Sequence, residues 1–190
     1  YHAARDLGNE VTLPIGGCEL NMSNSLISLF SQFTERHPNI HINMRTSPNA
    51  AVPEMVRSGE VDIGFFFGVR DAFPDLQTTR LYSTPVFFAA HADNPLTKLT
   101  DAPFDVLHQQ EFVYPHDSCI FIILTMPELE KRQIEWKQTT YLGSVSLVAD
   151  QVLRKHAVTL VPLCALRQYE KNYGIQKIQL RESLPRAWQM

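Results

Sequence analysis

The sequence lacks the short motifs that announce catalysis. It has no G-x-S-x-G elbow, no H-E-x-x-H pair, no phosphate-cradling P-loop and no G-x-G-x-x-G fingerprint. Cysteine is scarce: Cys18, Cys119 and Cys164 lie far apart with no C-x-x-C. An odd number without framework spacing points to a reducing compartment rather than a disulfide scaffold. No run approaches the roughly 18 to 20 apolar residues that span a bilayer, and nothing at the N-terminus has the pattern of a signal peptide. Strong net charge is absent too. With 17 Lys and Arg against 20 Asp and Glu, and 44% hydrophobic residues, the chain reads as an ordinary globular protein, not a disordered or nucleic-acid-seeking one.

The charge that is present is unevenly spread. Lys+Arg against Asp+Glu gives 7 and 16 over residues 1–130, and 10 and 4 over 131–190, so the two parts carry −9 and +6. This division could set a basic wall opposite an acidic one, to hold an anion or a second subunit, and a solvated surface explains it equally well.

Residues 11–67 organise the rest. Three apolar runs of strand length, Val11 to Ile15, Ile40 to Met44 and Val61 to Phe66, alternate with two segments of helical spacing, which predicts a parallel sheet with covering helices. In the first crossover Asn21, Ser23 and Asn24 offer N-caps, and Leu26, Leu29, Phe30 and Phe33 recur on one face expected to pack on the sheet. His37-Pro38 closes that helix. Ser47-Pro48-Asn49 opens the next, with Val52, Met55 and Val56 inward, Pro53 in its first turn and Gly59 at its end. Both strand-to-helix loops then fall at the carboxyl edge of the sheet, where helix N-termini present free N–H groups to ligands.

Further on, Leu76 to His91 reads as a long strand-rich stretch with Pro85 at an edge or bend. A turn at Ala92–Leu96, a short helix over Asp101–His108 and a strand at Phe112–Tyr114 follow. Cys119 to Met126 suits a buried helix or strand, with Pro127 kinking or restarting it and Glu128 to Trp136 as the helical remainder. Then come a strand at Thr140–Leu142, a Gly143-Ser144 cap, and a helix over Val145–Lys155 with Leu147, Val148, Val152 and Leu153 as its apolar positions. Val158–Val161, Leu163–Tyr173 and Ile175–Leu180 complete a strand, helix, strand pattern, with Gly174 as the helix stop. Two alternating units joined by long strands imply two small lobes with a cleft between them.

The order of these motifs resembles the effector-binding domain of LysR-type transcriptional regulators. The matching residues are Ile15-Gly16; Leu26, Leu29-Phe30 and Phe33; His37-Pro38; Gly59-Glu60-Val61-Asp62-Ile63-Gly64, close to the family's G-E-x-D-hydrophobic-A run; the turn His91 to Leu96; and the serine-capped helix and strand from Ser144 to Pro162. Lys155-His156-Ala157-Val158 stands where the family has a G-L-G-hydrophobic run. The resemblance implies an α/β protein of the type 2 periplasmic-binding-protein fold, two Rossmann-like lobes joined by crossing strands. Residues 1–10 would be the remnant of a linker helix, 11–89 and 179–190 lobe I, and 90–178 lobe II. The family's last strand and terminal helix would be wanting, so the C-terminal end reads as truncated.

It also implies a site. A small effector would bind between the lobes, held by Cys18, Asn21 and Met22 after the first strand, Pro48 and Asn49 after the second, and Phe66 and Phe67 after the third. His116, Asp117 and Ser118, with Gly143 and Ser144, would face it from the other lobe. Free N–H groups and short polar side chains at helix starts suit a polar or anionic effector. Plain N-capping explains the polar residues about equally well, and Phe66 and Phe67 suit a core better than a ligand wall. Asn49→Ala and Ser144→Ala are expected to weaken effector binding without unfolding the protein.

No cofactor or metal is implied; His116 and Cys119, three apart, form a weak pair without further ligands. Redox sensing through Cys18 is the sharper minority reading. The implied partners are the effector and other copies of the chain: a homodimer, with the helix Ser23 to Glu35 of one subunit near the helix Val145 to Lys155 of another, and a tetramer in the full-length protein. DNA would be touched only by an absent N-terminal domain, in the cytoplasm and with no membrane. The rivals are a transporter's solute-binding protein and a small enzyme on the same fold.

Overall fold

The computed structural model describes residues 10–21, 26–69, 72–155 and 157–190. The chain divides into two compact units, Tyr1–Phe67 with Asp71–Thr79 and Met190, and Gly68–Arg70 with Arg80–Gln189.

The first unit runs β1 (Val11–Gly17), α1 (Glu19–Asn21), α2 (Ile27–Arg36), β2 (Ile40–Thr46), a 3-10 turn Asn49–Ala51, α3 (Val52–Arg57) and β3 (Ile63–Phe65). Its sheet has the order β2-β1-β3 and is parallel throughout, with Ile15 level with Met44 on one side and Ile63 on the other. The apolar stripe of α2 packs on it. Leu26 and Phe30 are buried with Ile15 against Leu13, Ile42, Met44 and Phe65. The His37-Pro38 stop holds: His37, with φ −130°, ψ 68°, donates its N–H to Phe33 O at 2.9 Å. Leu29 departs from expectation, since it stays 51% exposed beside Ile27. The i, i+4 pair Leu26 and Phe30 already fills the groove over β1, which leaves Leu29 on an outer face.

In α3, Val52, Pro53 and Met55 are buried and Gly59 takes φ +73°. The helix lies tight on β3. A Cβ at Gly64 would sit 2.8 Å from both Val52 Cγ1 and Val56 Cγ2. The third strand starts at Ile63 rather than Val61, because the Val61 N–H is turned to Met55 O at 3.1 Å. Phe66 and Met190 exchange backbone hydrogen bonds of 2.9 Å each, and they form a core cluster with Val52 that Phe73 packs against.

A two-residue strand, β4 (Phe67–Gly68), carries the chain onward. The second unit comprises β5 (Tyr82–His91), β6 (Glu111–Tyr114), α4 (Ile120–Lys131), β7 (Gln138–Tyr141), α5 (Val145–Lys155), β8 (Thr159–Pro162), α6 (Leu163–Tyr173), β9 (Ile175–Lys177) and β10 (Arg186–Gln189). β5 is the spine. It pairs antiparallel with β10 through residues 82–85, with β8 through 86–89 and with β9 through 89–91. Pro85, which has no N–H, falls where the partners change. β6 and β7 form a separate parallel pair. Phe88 lies in the core with Phe104 and Phe112 at 6.1 and 6.2 Å, edge to ring.

Several expectations are corrected here. Residues 76–81 form no strand. α4 runs unbroken through Pro127 and stops at Lys131, not Trp136. Burial of Phe121, Ile122, Thr125 and Leu129 outweighs the loss at Pro127, which lies on the exposed side of the helix with Ile123. On α5, Val148, Ala149 and Val152 are buried while Leu147 and Leu153 are 51% and 43% exposed. β9 ends at Lys177, short of the expected Leu180, and one further bond to β5, from the Ile178 N–H to Phe88 O at 2.8 Å, follows in the same register. β10 was not expected at all.

Candidate functional site

In the first unit the carboxyl ends of three parallel strands deliver Cys18, Ser47 and Phe66 to one edge of the sheet. The Ser47 N–H donates to Gly17 O at 3.0 Å, so the first two loops are tied together. Cys18 is half-buried just before α1, which Asn21 closes, and Met22 lies outside the described residues with the expected caps Ser23 and Asn24. Pro48 is exposed and extended, with φ −53° and ψ 141°.

Asn49 is held differently. Its residue is 9% exposed, its Nδ2 donates to Phe67 O at 2.7 Å, and its Oδ1 accepts the Phe67 N–H at 2.7 Å. The carboxamide thus stands in for a peptide group beside Phe67, with both ends engaged. The ring of Phe66 is buried edge-on to Phe73 at 5.1 Å, and Phe67 is 1% exposed. Both rings serve the core. Beside β2 and α3 lies an open depression of ≈ 520 Å³ lined by Arg45, Ser47, Glu54, Ser58 and Glu60 among others. Arg45 and Glu60 already pair across it at 3.0 Å.

The second unit repeats the arrangement. β6 and β7 run parallel, Tyr114 level with Tyr141, and lead into α4 and α5 at the same edge. Their turns are joined by the Leu142 N–H to Tyr114 O at 3.2 Å and the Gly143 N–H to Pro115 O at 2.6 Å. This brings His116, Asp117 and Ser118 together with Gly143 and Ser144. His116 Nδ1 lies 3.0 Å from Ser118 Oγ, and the Cys119 N–H donates to His116 O, so the pair His116 and Cys119 belongs to a turn. Gly143 has φ +70°, which releases the chain from β7, and Ser144 O accepts the first helical bond of α5 from Val148 at 3.1 Å. Ser144 Oγ is 2.8 Å from Ser146 Oγ.

Two tyrosines at this edge escaped the sequence reading. Tyr114 donates its hydroxyl to Asp117 Oδ1 at 2.5 Å, and that bond, helped by burial, pushes the phenol up to about 12. Tyr141 is 62% exposed, its ring 6.4 Å from that of Tyr114. Their position at the last residues of two strands was the available signal. Burial pushes the thiols of Cys119 and Cys164 up, which makes both poor nucleophiles. Among the described residues no group of three or more His, Cys, Asp or Glu could hold a metal ion, and no helix is long and apolar enough to cross a membrane.

Comparison with known proteins gives these loops a context. No curated protein sequence matches the chain. Among solved structures, the regulatory domain of CcmR from Synechocystis PCC6803 in complex with 2-PG is similar with a TM-score of 0.82 at 12% identity, over 94% of this chain and 85% of that one. The BenM effector-binding domain with its effector benzoate has a TM-score of 0.73 at 20% identity, over 96% and 84%. The reduced form of the OxyR2 regulatory domain from Vibrio vulnificus has 0.76 at 14% identity, over 98% and 88%. At such identities the likeness shows the fold, an α/β fold of the type 2 periplasmic-binding-protein kind. The model of the LysR substrate binding domain matches residues 9–190. The chain belongs to the LysR substrate-binding domain family.

Proposed function

We propose that the chain is the sensing domain of a LysR-type transcription regulator and binds a small polar or anionic effector at its strand-to-helix loops. The family match over residues 9–190 carries this reading. Loop geometry supports the ligand class. In each unit, parallel strands end at one edge in turns rich in backbone N–H groups and small polar side chains, and neither α4 nor α5 has an acidic residue in its first turn. The related CcmR and BenM domains were solved with 2-PG and benzoate, both small molecules.

In this reading the domain performs no reaction of its own, works in the cytoplasm, and leaves DNA contact to another part of the regulator. Effector binding changes the response only through different affinity for two arrangements of the protein. Self-association uses the outward apolar residues of α2 and α5: Ile27, Leu29, Leu147 and Leu153 are all exposed, which suits a partner surface better than a lone domain. A thermal-shift screen against metabolites tests the proposal. A true effector at about 100 times its Kd stabilises the folded protein by about 2.7 kcal/mol. A broad panel of small anions and polar metabolites without any such shift would count against it.

A further inference from the structure

We propose that Tyr141 makes the effector site selective for planar acids, a step that rests on the reading of the second unit's turns as part of that site. Phe112, Tyr114 and Tyr141 share one face of the β6-β7 pair, since Tyr114 is level with Tyr141 and Phe112 lies two residues before Tyr114. Their rings form a graded stack. Trp136 lies on Phe112 at 4.4 Å and 11°, Phe112 on Tyr114 at 5.6 Å and 26°, and Tyr114 beside Tyr141 at 6.4 Å and 31°. The stack runs from the core out to the turns: Phe112 is 2% exposed, Tyr114 half-buried and Tyr141 62% exposed. Among the described residues β7 pairs with β6 alone, so no further strand covers the far side of Tyr141.

A single exposed tyrosine is ordinary surface, whereas one that ends a run of rings at these turns has a use for its open side. Aromatic pairs favour offset or edge contacts with ring centres about 4.5–7 Å apart, a spacing that Tyr114 and Tyr141 already keep. One more flat ring against Tyr141 continues the series. The ring behind it is fixed, because the Tyr114 hydroxyl donates to Asp117 Oδ1, and less ordering is left for a guest to impose. That bond also engages the Asp117 carboxylate, which would otherwise repel an acid. Position supplies the second half of the recognition. Tyr141 is followed at once by Leu142 and Gly143, whose N–H groups hold Tyr114 O and Pro115 O, so a ring on Tyr141 carries its acid group to the turns with Ser118 and Ser144. A saturated ring of the same charge makes those polar contacts and gains no stacking.

Benzoate and cyclohexanecarboxylate carry the same charge, are close in size and differ in flatness, so paired NMR titrations of the chain at millimolar concentrations test this. Both acids should move the amides of His116–Ser118 and Gly143–Val145, with benzoate bound about two- to tenfold tighter, the range that ring stacking supplies. Tyr141→Leu, which keeps bulk and removes the flat face, should bring that ratio to one while the affinity for cyclohexanecarboxylate holds. Tyr141→Phe should preserve the ratio. Because the side chain is mostly exposed, both variants are expected to fold as the wild type does. A ratio of one in the wild type, a ratio that survives Tyr141→Leu, or no response to either acid overturns the planar preference. A ratio of one with shifts at these turns overturns this inference alone, whereas shifts from both acids centred elsewhere overturn the placement of the site with it.

Discussion

Replacing Asn49 by alanine removes two hydrogen bonds of 2.7 Å between one buried carboxamide and the backbone of Phe67. A net value of about 1 kcal/mol per bond sets a floor near 2, and the buried setting of both bonds raises it, so the expected loss is about 2–4 kcal/mol. In a chain of 190 residues that corresponds to a melting shift of roughly 4–16 °C. Asn49→Asp makes the argument sharper. Its carboxylate still accepts the Phe67 N–H but confronts Phe67 O, whereas the protonated form can donate to it. The folded state therefore holds that proton more tightly than the unfolded chain. The stability it recovers is fully present below the unfolded carboxyl pKa of about 4 and is lost as pH rises through the higher folded value. Urea or thermal unfolding of wild type, Asn49→Ala and Asn49→Asp at pH 4 and pH 7 gives the readout. An alanine variant within about 0.5 kcal/mol of wild type, or an aspartate variant equally destabilised at both pH values, would refute the clamp. Asn49→Ala is still expected to fold, with less stability in reserve, so any loss of effector affinity in that variant has to be measured well below its melting point.

Gln189 is fully buried and, among the described residues, neither end of its amide has a hydrogen-bond partner, so Gln189→Met should stabilise the protein by about 1–3 kcal/mol in urea unfolding, and destabilisation would speak against an unsatisfied amide there. Because burial raises the thiols of Cys119 and Cys164, neither should take up a thiol reagent at neutral pH in a Cys18→Ser variant until denaturant is added. Rapid labelling of the native variant would contradict this. The Tyr114 bond to Asp117 stabilises the fold below the unfolded phenol pKa of about 10 and is lost as pH rises through about 12. The ultraviolet difference titration between wild type and Tyr114→Phe should then have its midpoint near 12. A midpoint near the ordinary value would remove that bond.

What the sequence made legible was local chemistry. The His37-Pro38 stop, the left-handed Gly59 and Gly174, and the paired Gly143-Ser144 cap each follow from the conformations those residues allow, and the three parallel strands of the first unit follow from the runs between them. Tertiary packing hid the rest. Pro127 reads as a break, yet the buried side of α4 holds the helix together across it. Leu29, Leu147 and Leu153 have the spacing of an inward face, but periodicity cannot tell a face turned to the core from one left for a partner. β10 is too short to carry a pattern, and only its pairing with β5 gives it strand geometry. For the site, position at a strand's carboxyl end was readable in sequence, while the engagement of Asn49 by Phe67 depends on a contact 18 residues away.

The central claim is that a small effector is held at the strand-to-helix turns, and amide-resolved NMR titration tests it most directly. Adding a compound that raises the melting temperature should shift the amides of Gly17–Leu20 and Ser47–Ala51, together with His116–Ser118 and Gly143–Val145, far more than those of the outer helix faces. Shifts centred on the faces of α2, α5 or α6, with these turns unmoved, would contradict the account.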